Sequence, residues 1–134
     1  MVVPAGKFLT GVIYIKSNVE LFIDQDAVLL ASTDRADYGP SERASAWIVA
    51  DNAKNISITG KGVIDGQCGL LIKDIYKKLI AGQLYDREWK QYNDWHQRRP
   101  SENNRPRMIE FINCAGVTIK NIQLQNGTSW IQAY

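Results

Sequence analysis

A short strand-turn-strand unit, repeated imperfectly, constrains the fold of this chain more than any other feature. In the central copy, residues 47–66, Ile56 and Ile58 alternate with polar residues, which is the period-two pattern of a strand with one buried face. Gly60-Lys61-Gly62 then turns the chain into a second short apolar run, which ends at Asp65-Gly66. A unit this small cannot bury its own apolar face, so the sequence predicts similar units stacked on both sides of it.

Two other segments carry the same pattern, one upstream at residues 16–23 and one downstream at residues 113–124. An apolar residue stands at the equivalent position of each copy: Val19, Ile56 and Val117. Imperfect copies of a strand-turn-strand unit are typical of a solenoid, in which each coil covers the apolar face of the next. We therefore expect residues 1–134 to form a single, incomplete all-β solenoid domain that is truncated at both ends.

An asparagine precedes the strand in two of the three copies. Asn18 and Asn55 are placed so that their side-chain amides can hydrogen-bond to each other from one coil to the next. In the third copy the equivalent residue is Gly116, which has no side chain. The sequence therefore predicts an asparagine ladder that is interrupted at the third copy.

The longest interruption of the repeat is the insertion at residues 67–106. Five apolar residues recur there at helical spacing, with lysines on the opposite side: Leu71, Ile72, Ile75, Leu79 and Ile80. This spacing predicts an amphipathic helix over residues 70–81 that ends near Gly82. Aromatic residues follow at intervals of three to four: Tyr85, Trp89, Tyr92 and Trp95. Their rings suit either stacking on sugars or docking of the insertion onto the solenoid, and docking is favoured because each ring can bury up to ~250 Å².

Charge and composition argue against several classes of partner. The chain of 134 residues is 45% hydrophobic and has a formal net charge of +2, with basic and acidic residues interleaved. This balance gives no support to a nucleic-acid or membrane partner. No apolar run approaches the ~20 residues that span a bilayer, and the N-terminus lacks the basic and apolar segments of a signal peptide.

The side chains that usually carry catalysis or bind metals are sparse. His96 is the single histidine, so neither a zinc site nor a histidine-based triad is expected. Asp24 and Asp26 share a polar turn, where we expect solvated carboxylates and not a catalytic or metal-binding pair. Cys68 and Cys114 leave a disulfide open, and we expect Cys114, which is flanked by strand residues, to be a small buried hydrophobe.

Four further motifs follow one another along the chain. They are residues 3–11 with the segment Lys16-Ser17-Asn18-Val19, residues 58–67, residues 105–114 and residues 126–130. In type, order and spacing they resemble the early coils of the polygalacturonase-type family of glycoside hydrolases. The resemblance implies a right-handed parallel β-helix and inverting hydrolysis of pectin-type polysaccharides at galacturonic acid linkages. It also implies that no metal or organic cofactor takes part. Members of this family are usually secreted or periplasmic, but the sequence shows no signal peptide, so it assigns no localisation.

The resemblance further implies where catalysis takes place. In inverting enzymes a carboxylic acid protonates the leaving oxygen while carboxylates opposite activate water, with the groups ~6.5–9.5 Å apart. The family draws these groups from an Asn-x-Asp motif and an Asp-Asp pair, assisted by His-Gly and Arg-x-Lys motifs in later coils. This sequence contains no Asp-Asp and no His-Gly, and no Asn-x-Asp or Arg-x-Lys in a suitable context. We therefore expect no catalytic residue within it.

Trp130 and Gln132 are the candidate substrate-binding residues. Both would contact sugar if the last strand lines the substrate groove, although Trp130 could equally fill the core. We expect the N-terminal part of a pectin-degrading hydrolase that acts on polysaccharide and is inactive without further coils. The alternative is a non-catalytic β-helix segment for carbohydrate binding or assembly. A polysaccharide lyase is a weaker option, because the acidic calcium-binding cluster it needs is not visible.

Uncapped coils have a further consequence for self-association. A coil edge without a cap presents unpaired backbone groups and apolar side chains, which favour pairing with another chain. The sequence therefore also predicts that the isolated chain is marginally stable or associates end to end through its uncapped coils.

Overall fold

Parallel strands arranged in successive coils form the body of the protein in the computed structural model. The structure describes residues 1–87, 89, 100–127 and 132–133, the last two through their backbone alone. The strands of this part are β1 (Val2–Val3), β2 (Gly6–Thr10), β3 (Ile13–Tyr14), β4 (Glu20–Ile23), β5 (Ala27–Ala31), β6 (Ile48–Asp51), β7 (Lys54–Gly60), β8 (Val63–Asp65), β9 (Ile109–Ile112), β10 (Ala115–Ile119), β11 (Gln123–Gln125) and β12 (Gln132–Ala133). An α-helix, α1 (Cys68–Ile80), and two 3₁₀ helices, Arg35–Tyr38 and Glu102–Asn104, complete the described elements.

Each strand pairs in parallel with the strand three places further along the chain. Sheet A has the order β1-β4-β7-β10, sheet B the order β2-β5-β8-β11 and sheet C the order β3-β6-β9-β12. The chain thus visits sheets A, B and C in turn and completes four coils. This is the partial right-handed parallel β-helix that the sequence predicts, with the handedness that parallel crossover connections favour.

The strand register confirms the equivalence of the three sequence copies. Val117 pairs with Ile56 between β10 and β7. The backbone N–H of Ser57 donates to the carbonyl of Val19 at 3.1 Å, which places Val19 beside Ile56 as well. Residues in register share a face of the sheet, so the apolar positions of successive coils stack directly on one another.

The core is a set of stacked aliphatic side chains inside the coils. Leu21, Ile23, Ile48, Ile56, Ile58, Ile64 and Ile109 are each at most 1% exposed. Each such residue stabilises the fold by on the order of 1.5–3 kcal/mol through burial of apolar surface. The inner faces of the three sheets enclose this core, and each coil covers the apolar side chains of the coil next to it.

The asparagine ladder forms between the two coils that carry asparagine and stops at the third. Asn55 Nδ2 donates to Asn18 Oδ1 at 3.0 Å. Asn18, Asn55 and Gly116 all have left-handed backbone, with φ between 57° and 67°. Asparagine and glycine tolerate this conformation better than other residues, so the column marks one corner of the coil. The predicted interruption at Gly116 is confirmed.

Both interruptions of the repeat leave the solenoid at the same corner, between sheet B and sheet C. Residues 32–47 connect β5 to β6, and residues 66–108 connect β8 to β9. The predicted helix is confirmed as α1, which begins at Cys68, two residues early. The helix ends as predicted: Gly82 adopts φ 74°, and the N–H groups of Gly82 and Gln83 donate to the carbonyls of Leu79 and Lys78.

The two insertions dock onto each other through a buried arginine. Arg35 is fully buried and donates to the carbonyl and the side-chain oxygens of Asn104, at 2.8 and 3.0 Å. It also donates to the carbonyls of Gly39 and Pro40. Burial lowers the pKa of the guanidinium, because desolvation disfavours its charged form. These bonds join the insertions into one lobe beside the solenoid.

Two of the aromatic residues that were predicted to dock the longer insertion onto the solenoid, Tyr85 and Trp89, are described by the structure. Trp89 packs against the core cluster, and its ring lies 5.5 Å from that of Tyr76 at a tilt of 56°. Tyr85 remains half exposed. Tyr92, Trp95 and His96 lie outside the described residues.

The two cysteines depart from one sequence expectation. Both Cys68 and Cys114 are free thiols, so the disulfide that the sequence left open is absent. Cys114 is half-buried and not fully buried as predicted, because it occupies the turn before β10 and no described coil covers that turn from above. Its thiol lies 3.5 Å from the carbonyl oxygen of Ala50 in the preceding coil.

Candidate carbohydrate-binding face

The backbone places one of the two predicted substrate-binding residues in sheet C. Gln132 begins β12 and pairs with Ile109, while the next residue, Ala133, pairs with Glu110. Ile109 belongs to a column that points into the core, whereas Glu110 belongs to a column on the outer face. Trp130 lies outside the described residues.

The outer face of sheet C is built by simple alternation along β6 and β9. In each strand the first and third residues are buried, and the second and fourth face outward. The parallel register sets Val49 opposite Glu110 and Asp51 opposite Ile112. Tyr14 of β3 extends the first of these columns, because it pairs with Val49, and it is 63% exposed. The face thus offers an aromatic ring, an exposed isoleucine and two carboxylates.

One ion pair organises the charges on this face. Arg107, two residues before β9, approaches Glu110 with 2.6 Å between Nη1 and Oε2. Asp51 of the neighbouring coil is exposed and forms no ion pair among the described residues. Guanidinium and carboxylate groups are the usual partners of carboxylates and hydroxyls in ligands. Chemically, the face can bind a saccharide that carries both groups.

A hydrogen-bonded clasp fixes the corner through which the chain enters sheet C. The carboxylate of Asp65 accepts from the N–H of Gln67 at 2.8 Å and from the side chains of Asn126 and Gln125. Burial opposes the charge of this carboxylate, but the three hydrogen bonds outweigh it and hold the pKa of Asp65 below its usual range. Gln67 Nε2 reaches back to the carbonyl of Ala31, so the clasp links three successive coils.

The glycine of the same clasp is required by close packing. A Cβ on Gly66 would lie 2.5 Å from the carbonyl oxygen of Asn126 in the next coil. Sequence reasoning interpreted Asp65-Gly66 only as a turn and missed its role between coils. The motif Asp65-Gly66-Gln67 was the available signal, since it forms part of the family resemblance.

The structure shows neither a metal centre nor a membrane helix in the part of the chain that it describes. Among those residues, no three His, Cys, Asp or Glu side chains lie close enough together to hold a metal ion. None of the described helices is both long and apolar enough to cross a bilayer. Asp24 and Asp26 share one turn as predicted, where Asp24 Oδ1 accepts from the N–H of Asp26 at 3.0 Å.

The fold of the described residues recurs in solved structures. A crystal structure from Parabacteroides merdae ATCC 43184 superposes with a TM-score of 0.80 at 29% identity, over 98% of this chain and 51% of that one. A family 28 exopolygalacturonase from Yersinia enterocolitica superposes with a TM-score of 0.70 at 19% identity, over 95% of this chain and 29% of that one. The second likeness concerns the fold alone.

Sequence comparison identifies the family. A protein of Vitis vinifera named "Probable polygalacturonase" is 34% identical over 143 aligned residues, which cover 96% of this chain and 25% of the relative. The chain spans about a quarter of the length of this relative and, similarly, 24% of a polygalacturonase from Ralstonia solanacearum that is 27% identical. Residues 1–131 match the sequence model of glycosyl hydrolases family 28. The chain belongs to glycosyl hydrolases family 28.

Proposed function

We propose that this chain forms the N-terminal coils of a longer pectin-degrading enzyme that hydrolyses galacturonic acid linkages with inversion. The observation that carries the proposal is the match to family 28 over residues 1–131, combined with relatives named polygalacturonases. The chain spans about a quarter of those relatives, so the activity belongs to a protein that contains further coils.

The parallel β-helix explains how such an enzyme combines binding and catalysis on one face. A following coil adds its own strand to sheet C beside β12, so its outward side chains continue the columns of Tyr14, Val49 and Glu110. In our proposal these later coils supply the acid that protonates the glycosidic oxygen and the carboxylates that activate water. Inversion requires the two sets ~6.5–9.5 Å apart, which leaves room for the water.

The residues of this chain bind and orient the saccharide in this scheme. The exposed ring of Tyr14 offers a flat surface for the apolar face of a sugar ring, and Arg107 offers donors to a uronate carboxylate. We propose Trp130 and Gln132 as further sugar contacts, since Gln132 lies in the strand of sheet C nearest to any following coil. No metal or organic cofactor takes part.

The chain by itself lacks a suitable pair of catalytic carboxylates. On the described outer face of sheet C the carboxylates are Asp51 and Glu110, and one oxygen of Glu110 is occupied by Arg107 at 2.6 Å. The family's catalytic motifs are absent from the sequence. We therefore propose that residues 1–134 bind saccharide weakly and do not hydrolyse it.

A reducing-sugar assay on polygalacturonate tests this assignment. We expect no turnover by the 134-residue chain and turnover by the same chain extended through its following coils. In the extended protein, replacement of the Asp-Asp pair by Asn-Asn is the matched control and should abolish activity without unfolding. Turnover by the 134-residue chain would show that its own residues are catalytic, and would overturn the proposal.

The open edge of the first coil supports the alternative role in assembly. Met1, Val2 and Leu9 are each about two-thirds exposed, and Phe8 is 38% exposed although it stacks on buried Leu29. In the 134-residue polypeptide these groups border unpaired strand edges, which favour association. We propose that this polypeptide associates end to end, which size-exclusion chromatography with light scattering at several concentrations tests. A sharply melting monomer at all concentrations would contradict it.

A further inference from the structure

We propose that the corner between sheets A and B carries a second, non-catalytic binding site for an acidic saccharide. A groove with a volume of about 610 Å³ runs across this corner, on a different face from sheet C. We call it the A–B groove; its lining includes Phe22, Asp24, Asp26, Lys61, Lys120 and Asn121. Its volume lies within the range of ~300–1,000 Å³ that is usual for small-molecule sites.

The groove lies where the middle one of three stacked turns is shorter than its neighbours. The connection from β7 to β8 consists of Lys61 and Gly62, whereas the turns of the coils on either side are one residue longer. Gly60 and Gly62 allow the short turn to pack closely on the preceding coil: a Cβ on Gly60 would lie 2.0 Å from the carbonyl oxygen of Ile23, and one on Gly62 would lie 2.2 Å from the Ile23 side chain. The longer neighbouring turns therefore stand out as two walls.

Opposite charges line the groove: acidic residues stand on one wall, and lysines stand on the other wall and on the short turn between the walls. Asp24 and Asp26 lie in the turn of the second coil, while Lys61 and Lys120 lie in the turns of the third and fourth coils. Neither lysine forms an ion pair with any residue that the structure describes. The two ammonium groups thus remain available for an anion, and the carboxylates remain available as hydrogen-bond acceptors.

Beside Lys61, the region between the walls has an apolar ring and one unsatisfied polar group. Phe22 is 37% exposed, so part of its ring faces the groove. The hydroxyl of Thr59, also in the lining, is buried and has no hydrogen-bond partner among the described residues. Buried polar groups of this kind are usually satisfied by a bound water or ligand.

An acidic saccharide matches this combination better than other ligands. Its carboxylate would pair with Lys61 or Lys120, its hydroxyls would donate to Asp24 or Asp26, and an apolar ring face would cover Phe22. A neutral sugar gains nothing from the lysines. A polyphosphate gains from the lysines but is repelled by the two aspartates, because like charges in close proximity disfavour binding. The site goes beyond the proposed function, since it uses a face that takes no part in hydrolysis.

Backbone amide NMR of the 134-residue chain during titration with trigalacturonate tests the proposal, with neutral maltotriose as the comparison ligand. We expect saturable shifts at Lys61, Lys120 and Asn121 with trigalacturonate and none with maltotriose. Lys61→Ala/Lys120→Ala should weaken the binding about tenfold, the scale on which about 1.4 kcal/mol of interaction is lost. Lys73→Ala/Lys77→Ala is the matched control, because it removes the same charge from exposed positions of α1.

The outcomes separate this site from the face of sheet C. Shifts confined to Tyr14, Glu110 and their neighbours would support the proposed function and overturn the second site. Equal shifts with maltotriose, or equal affinity in the two double variants, would also overturn it. Should the alanine variant lose its native amide spectrum, Lys61→Gln/Lys120→Gln keeps most of the aliphatic length and tests the same charges.

Discussion

Replacement of Gly60 by alanine tests how closely the coils stack. Gly60 ends β7 with φ 104°, a backbone conformation that residues with a side chain rarely adopt. A Cβ there would also lie 2.0 Å from the carbonyl oxygen of Ile23 in the preceding coil. That carbonyl belongs to β4, which pairs with β7, so it cannot withdraw without disturbing the ladder. We expect the backbone strain and the steric clash to add.

Three other glycines separate these two costs. Gly82 has φ 74° and open space around it, so alanine there meets strain alone, at about 1–2 kcal/mol. Gly62 has no positive φ, but its Cβ would lie 2.2 Å from the Ile23 side chain, a clash worth about 1–3 kcal/mol. Gly69 in α1 meets neither, and alanine should stabilise the helix by up to about 1 kcal/mol. Gly60→Ala should therefore lower the free energy of unfolding by about 2–5 kcal/mol.

Urea unfolding followed by far-ultraviolet circular dichroism measures this series at one protein concentration. We expect the urea midpoint to rise or stay level in Gly69→Ala, to fall in Gly82→Ala and Gly62→Ala, and to fall furthest in Gly60→Ala. The dependence of the unfolding free energy on urea concentration should be unchanged in Gly69→Ala and Gly82→Ala. If Gly60→Ala unfolds at the same urea concentration as Gly82→Ala, the steric cost is absent. The coils would then not approach each other as closely as the structure shows, and the reasoning would be wrong.

Three further perturbations test the contacts between coils and between insertions. Arg35→Met leaves the carbonyl oxygens around the buried guanidinium unsatisfied, so we expect a loss of about 3–5 kcal/mol, seen as faster hydrogen exchange in α1 than in the sheets. Asn55→Gly removes the hydrogen bond to Asn18 but keeps the left-handed backbone, and it should lower the free energy of unfolding by about 0.5–1 kcal/mol. Asn55→Ala adds backbone strain and should cost about 1–2 kcal/mol more, which the urea midpoints of the two variants measure. Because the pKa of Asp65 is lower in the folded state than its ordinary value of 3.8, its ionised carboxylate stabilises the fold above pH 3.8, and this stabilisation is lost as the pH falls through the folded-state pKa. Asp65→Asn should therefore be less stable than the parent at pH 7, and urea titrations should show the difference shrinking below pH 3.8.

Alternation and corner residues were sufficient to predict the stacked coils. Ile56 and Val117 could be matched in the sequence because a strand with one buried face repeats every two residues, whatever its neighbours are. The ladder of Asn18 and Asn55 was predictable because asparagine favours the left-handed corner locally. The 3.6-residue spacing likewise predicted α1, but its start at Cys68 depended on a hydrogen bond from the Cys68 N–H to the distant carbonyl of Asn126.

The candidate site was less accessible to sequence reasoning. Gln132 could be assigned to a terminal strand, but its place in sheet C follows from pairing with Ile109, more than twenty positions earlier in the chain. The ion pair between Arg107 and Glu110 has a spacing that sequence could have suggested. Its place on the outer face, however, required the register of β6 and β9.

By itself the sequence determined the repeating element, its buried face and its left-handed corners, because these properties depend only on neighbouring residues. The tertiary structure alone decided which corners carry the insertions and which charges meet. Arg35 can be buried only where the carbonyls of both insertions converge, and the A–B groove exists only where turns of three coils are stacked. Such convergence joins residues that are far apart in the chain, and no local preference of a residue encodes it.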